Sequence, residues 1–299
     1  MQHIQTVLCP VDGSECADRA LAHAAEFCRG RGARLVVLTV RPVVPIPALW
    51  LSSAAMALEM DAEAIESARA ALADEVRRVT DYSRVEFEVA VGDVVTEILR
   101  VADECSADVL VVGTHGLRGL DRLMLGSVTE RLLRKASSPV LVVPPAAVDA
   151  GASGRPAVIV CGVDRAAASR TALATAGELA CLHKARLVLV HVFEDFAAED
   201  PRFAHHFNTD ACWREAQPEI RAAYDAMVPA ECRQACEVEV VTRRGRPCRV
   251  ILETAASWSA DLIVLGAAGW NPPYGSTTAH VLRDAKCPVL VITQGHQPS

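Results

Sequence analysis

Residues 92–113, GDVVTEILRVADECSADVLVVG, and residues 245–266, GRPCRVILETAASWSADLIVLG, are one pattern written twice at a constant offset of 153. Each opens on a glycine and continues with apolar residues at helical spacing. Each then breaks at Ser-Ala-Asp (Ser106–Asp108 and Ser259–Asp261) into a short apolar run. The match extends in both directions. TVLCPVD (6–12) pairs with VIVCGVD (158–164) at an offset of 152, and GSVTERLLRKASSPVLVV (126–143) with GSTTAHVLRDAKCPVLVI (275–292) at 149. A solenoid repeats every ~20–50 residues, so a period this long is a duplicated domain. The 299 residues therefore divide into two domains, 1–144 and 157–294. Between them, 145–156 lies in PPAAVDAGASGRPA, a Pro-, Gly- and Ala-rich linker without periodicity.

Within the first copy, short β-branched runs alternate with amphipathic stretches. TVLCPV, RLVVLTV, VEFEVAV, DVLVVG and PVLVVP read as strands. Between them, helical periodicity marks ADRALAHAAEFCRGRG, about 25 residues within 54–80, VVTEILRVADEC and SVTERLLRKAS. Continuous apolar strands separated by helices predict an α/β fold, here two tandem doubly wound parallel five-stranded sheets. The last strand, β-branched and flanked by Pro139 and Pro144, is expected to pair with a partner copy.

Composition narrows the function classes. Hydrophobic residues are 51% and charged residues 22%, enough apolar matter for buried cores, while 4% aromatics leaves Ala, Val and Leu to fill them. A formal charge of −7 does not steer the chain towards nucleic acid or an anionic membrane. No apolar run is long enough to span a bilayer, and MQHIQTVLCPVDGS lacks the basic and apolar segments of a signal peptide. A cytoplasmic protein is expected. Its eleven cysteines, odd in number and scattered through strands and helices, read as reduced thiols.

In open parallel sheets ligands bind at the carboxyl ends of strands. Asp12-Gly13-Ser14 follows the first strand, and the fourth runs into Gly113-Thr-His115-Gly116-Leu-Arg118-Gly119, with Gly126-Ser127 opening a helix. Two readings of Gly126–Glu130 stand side by side. Its amides, with the Ser127 and Thr129 hydroxyls, suit a phosphate. Equally, Ser127-Val-Thr-Glu130 is a capping box in which Ser127 caps the helix. No P-loop and no strand-linked G-x-G-x-x-G is present.

VLCPVDGSECADRAL, VVGTHGLRGLDRLMLGSVTERLLRKASSPVLVV and the spacing G-x2-G-x9-G-S resemble the universal stress protein family, over nearly the whole chain as a tandem pair. The resemblance implies an adenine nucleotide alpha hydrolase-like fold whose last strands pair antiparallel, joining Pro139–Val143 to Pro288–Ile292 within this chain. It also implies an ATP site, with Mg expected alongside. Pro10, Val11 and Asp12 would meet the ribose or adenine edge, and Val40 the adenine through its backbone. Val112, Gly113, His115, Gly116, Arg118, Gly126, Ser127, Val128 and Thr129 would surround the phosphates. A nucleotide-dependent sensor or regulator in stress response is expected, acting as a homodimer with a regulatory protein partner.

The second copy departs from that pattern. Arg165-Ala166 replace Gly13-Ser14, and WNPPY alone separates Gly269 from Gly275. Pro272 and Pro273 remove two amides there, and Trp270 and Tyr274 fill the space, so ATP is expected in the first copy. No catalytic triad or carboxylate pair stands at a readable spacing. A slow ATPase, with His115 assisting, is the rival reading. A third is a zinc- or redox-responsive module using His191, His205, His206, Cys212, Cys232 and Cys236, whose default is small buried side chains. Arg243–Pro247 looks like a nucleic-acid hook but aligns with Gly92-Asp93 at a strand-to-helix junction. Val43–Met60, with Pro45, Pro47, Trp50 and Met56, is either a loop packed on its own domain, or a lid or contact surface.

Overall fold

The computed structural model describes residues 4–42, 62–114, 125–147, 156–194, 209–267 and 277–293. The first copy runs β1 (Thr6–Val11), α1 (Glu15–Arg29), β2 (Arg34–Arg41), α2 (Ala62–Val79), β3 (Val85–Val91), α3 (Val94–Glu104), β4 (Val109–Gly113), α4 (Ser127–Lys135) and β5 (Val140–Val143). The second begins with β6 (Val158–Val163), α5 (Ala167–His183), β7 (Arg186–Phe193), α6 (Thr209–Met227) and α7 (Ala230–Ala235). It ends with β8 (Val238–Arg244), α8 (Pro247–Ser257), β9 (Leu262–Gly266), α9 (Thr277–Asp284) and β10 (Val289–Ile292). Within the predicted 54–80 helix, α2 is the described part, and the 43–60 segment lies outside the described residues.

The ten strands form one sheet in the order β3-β2-β1-β4-β5-β10-β9-β6-β7-β8. Neighbours are parallel except at the centre, where β5 and β10 run antiparallel with Val140, Leu141 and Val142 opposite Val291, Leu290 and Val289. The closing strands thus supply each other's partner within the chain. Alternation of side chains across each strand divides the interior into two layers. Val7, Cys9 and Val11 join the layer under α1 and α2, whereas Leu8 joins that under α3 and α4. Each layer continues across β5–β10 into the second copy, so both copies share both cores. The seam is reinforced by Arg31, whose guanidinium lies 2.8 Å from His183 Nε2, and by Thr293, whose hydroxyl lies 3.3 Å from the Ser137 and Ser138 carbonyls.

The repeated Ser-Ala-Asp is a folding device. Ser106 and Ser259 have φ of 51° and 50°, the left-handed conformation that ends a helix. The amides that follow close the same pair of bonds in both copies: Ala107 to Ala102 and Ser106 to Asp103, Ala260 to Ala255 and Ser259 to Ala256. The aspartate then ties β4 or β9 to the strand beside it. Asp108 accepts the amides of Gln5 and Thr6 at 2.7 and 2.9 Å, and Asp261 those of Ala157 and Val158 at 2.8 and 2.9 Å. Buried cysteines serve as small apolar side chains: Cys9 and Cys161 lie inside β1 and β6, and burial pushes both thiols up, Cys161 to about 12. Among the described residues no helix is long and apolar enough to cross a membrane.

Candidate functional site

In the first copy the chain moves from β1 to β2 on one side and later crosses to β4 on the other. The sheet therefore changes direction between β1 and β4, the topological switch point at whose carboxyl ends open α/β sheets hold ligands in a crevice. β1 pairs with β2 only as far as Val11 opposite Thr39, so β2 runs past it and Val40 stands beyond the end of β1. Pro10 and Val11 finish β1, Val11 buried, and Asp12 emerges exposed. Gly13, at φ 77°, makes the turn, and Ser14 caps α1 by accepting the Ala17 amide at 3.2 Å. The Asp12 carboxylate accepts the Ser14 amide at 3.1 Å.

The other wall is the end of β4 and the start of α4. Val112 is buried, and Gly113 is a glycine for a packing reason: a Cβ there would stand 2.9 Å from the Cys16 carbonyl oxygen at the start of α1. Thr129, 4% exposed, donates its hydroxyl to the Gly113 carbonyl at 2.8 Å and so fastens the first turn of α4 to the end of β4. Gly126 donates its amide to the Thr114 carbonyl at 2.7 Å, closing the base of the intervening loop. His115, Gly116 and Arg118 lie outside the described residues.

The capping-box alternative is corrected here. Gly126 is the N-cap of α4, Ser127 is already inside the helix, and no side chain caps its first turn. The early amides of an α-helix lack intrahelical acceptors, so those of Ser127, Val128 and Thr129 sit at a positive helix end without a capping side chain.

A feature not read from the sequence lies on the α1–α2 side. Glu75, on α2, is raised above the ordinary carboxylate range by burial and by Asp18, with Arg78 opposing and Asp12 adding to the rise. Glu75 Oε1 and Asp18 Oδ1 are buried and have no hydrogen-bond partner among the described residues. The α1–α2 side thus carries carboxylate acceptors, and the start of α4 carries amide donors.

At the matching place in the second copy, Asp164 is held from within, accepting the Ala166 amide at 2.8 Å and the hydroxyl of buried Ser169. Ala166 leaves α5 without a side-chain cap. The group facing Asp164 is Tyr224, which burial and that carboxylate raise above the usual phenol range. Its ring lies 4.7 Å from His191, whose Nδ1 is 3.0 Å from the Val163 carbonyl. His191 is therefore engaged away from the cysteines grouped with it by sequence. His205, His206, Gly269, Trp270, Pro272, Pro273, Tyr274 and Gly275 are outside the described residues, and Cys212 lies in the first turns of α6. Gly245 and Arg246 sit at the β8–α8 junction, Arg246 as the N-cap.

The sequence profile described as the universal stress protein family matches residues 3–144 and again 157–293. The chain belongs to that family. A universal stress protein of Mycolicibacterium smegmatis is 28% identical over 298 residues, covering 96% of both chains. One from Thermus aquaticus is 34% identical over 140 residues, 46% of this chain and 98% of its own length, so the relative is the size of one copy. Among solved structures, a universal stress protein of Archaeoglobus fulgidus shares the fold with a TM-score of 0.66 at 21% identity, covering 98% of each chain. The two matches coincide with the two copies, and the antiparallel seam expected from the resemblance is present between β5 and β10.

Proposed function

We propose that the first copy binds ATP with Mg in the crevice between β1 and β4, and that the protein is a nucleotide-dependent sensor or regulator in stress response. The observation that carries this reading is the uncapped start of α4, fixed by Thr129 to the end of β4, the strand beside β1. Phosphates would take the Ser127, Val128 and Thr129 amides. The ribose hydroxyls would meet the acceptors of Asp12, Asp18 and Glu75, and adenine the backbone at Val40. A triphosphate in the reverse orientation would face three carboxylates. The second copy, with Asp164 held by Ser169, is proposed to bind ATP weakly or not at all.

The deciding experiment is to denature protein as purified and identify what is released, then titrate the emptied protein with ATP by calorimetry. One ATP per chain is expected, and two, or none, overturns the reading. Gly126→Val gives a sharp variant because Gly126 has φ −59° and ψ 140°, which any residue adopts. Its loss of ATP would report the close approach of a ligand rather than backbone strain. A regulatory role needs no turnover, so ATP hydrolysis matched to a catalytic rate would favour the slow-ATPase reading instead. A cytoplasmic homodimer belongs to the same proposal. Since β5 and β10 satisfy each other, its contact would use another surface, and sedimentation at the mass of a single chain would exclude it.

A further inference from the structure

The second copy contains an element that the first lacks. Residues 80–84 join α2 to β3, but 228–237 join α6 to β8 and contain α7. This insertion brings two cysteines against a third. Cys232 lies in α7 and Cys236 is its C-cap, four residues on, so both thiols emerge on one side of the turn. Their sulfurs are 3.4 Å apart. Cys181, near the end of α5, completes the group, all three sulfurs lying within 4.8 Å of one another. Cys232 is 2% exposed and points its thiol at the Gly177 carbonyl, also on α5, at 3.6 Å. A Cβ at Gly177 would stand 3.6 Å from this sulfur, in ordinary van der Waals contact, so α5 and α7 pack closely here.

Among the described residues no histidine or carboxylate joins these sulfurs. An all-sulfur donor set selects soft ions and disfavours magnesium or calcium. With metal–sulfur bonds of ~2.3 Å, sulfurs around a tetrahedral zinc stand ~3.8 Å apart, so rotation of the existing side chains suffices. A simple dithiol pair would need only Cys232 and Cys236. The third sulfur, brought from a helix more than fifty residues away, is what a metal would use and a disulfide would not.

We propose that Cys181, Cys232 and Cys236 form a three-sulfur site for a soft divalent cation of the zinc and cadmium class, with a fourth position left to solvent. Binding forms three metal–sulfur bonds and releases the three thiol protons to solvent, with no change of oxidation state. The site lies in the second copy, and its existence does not depend on ATP in the first.

The test uses the full chain, reduced and washed with chelator, titrated with Cd(II) and read by the ultraviolet thiolate-to-cadmium charge-transfer band, with Zn(II) as competitor. One Cd(II) per chain, displaced by Zn(II), is expected. Cys181→Ser and Cys236→Ser should each weaken binding by more than about tenfold, the lower end of what loss of a mere outer-shell partner costs a metal site. The Cys248→Ser control should leave affinity unchanged. Unchanged Cd(II) affinity in C181S or C236S, or no uptake by the parent chain, overturns the proposal. Because Cys232→Ser changes a buried side chain, the third ligand is read in the parent chain by alkylation and mass mapping. Metal should protect Cys181, Cys232 and Cys236 together. Protection of other cysteines, or a Cys232–Cys236 disulfide with no metal uptake, overturns it.

Discussion

The two copies keep the same skeleton and differ where a ligand would sit. Ser106 and Ser259 turn at nearly the same positive φ, Asp108 and Asp261 clamp the same pair of amides, and Gly113 and Gly266 press against the first turn of α1 or α5. At the crevice the copies part. The first has Gly13, Ser14 and a capped α1, whereas the second has Arg165, Ala166, an uncapped α5 and Asp164 drawn onto Ser169. The turns, clamps and close-packed glycines are the same in both copies, and the residues after the first strand's aspartate differ. Both aspartates accept the amide two residues on, and the second also takes the Ser169 hydroxyl.

The largest way to strain this comparison is at the paired glycines. A Cβ would stand 2.9 Å from the Cys16 carbonyl oxygen in Gly113→Ala but 2.5 Å from that of Ala168 in Gly266→Ala. Both should destabilise by about 3 kcal/mol or more, the upper end for overpacking because the clash is with backbone, with Gly266→Ala the worse, measured by urea unfolding. Full stability of Gly113→Ala with loss of ATP would instead make Gly113 a ligand contact. Next come the clamps. Asp108→Ala and Asp261→Ala should each cost about 1.5–3 kcal/mol, the range for hydrogen bonds to a charged group, and by similar amounts. A clear inequality between them would break the symmetry of the skeleton.

Smaller effects probe the divergent positions. Ser14→Ala should cost about 1 kcal/mol through loss of a helix cap, while Ala166→Ser should regain part of that in the second copy. Thermal melts of the single and double variants would read the exchange, and a destabilised Ala166→Ser would show that Asp164 and Ser169 leave no room for a cap. The smallest effect is in acid. Asp93 caps α3 and is held at about 2 by the Thr96 hydroxyl and amide and then by Arg131, whereas its counterpart Arg246 has no carboxylate to titrate. A depressed carboxyl contributes stability above its ordinary range and loses it as the pH falls towards 2. Asp93→Asn should therefore flatten the acid limb of the stability curve, and Arg246→Ala should leave its shape unchanged.

Much of the fold was legible because its signals are local. Strand-length apolar runs, helical spacing and a constant offset reveal the duplication and the parallel order without any knowledge of contacts. Gly126-Ser127 also marked the correct helix start, but spacing could not say whether Ser127 caps α4 or lies inside it. That depends on one residue's backbone dihedrals, and Gly126 took the cap position. Gly113 was read for a ligand's approach, yet its neighbour is the backbone of Cys16, close only after α1 packs on β4. Glu75 carried no signal in sequence because it faces Asp12 and Asp18 from a separate helix. Cys232 and Cys236 share a turn and are legible as a pair, but Cys181 reaches them only through the packing of α5 on α7.

By itself the sequence determined that this is a doubled α/β chain of the universal stress protein type with unequal halves, because periodicity and motif spacing are properties of neighbours along the chain. Only the tertiary structure decided that Gly126 rather than Ser127 caps α4, that Glu75 comes beside Asp18, and that three thiols meet. Those outcomes come from burying the apolar faces of separate elements together, which fixes contacts between residues that no local pattern relates.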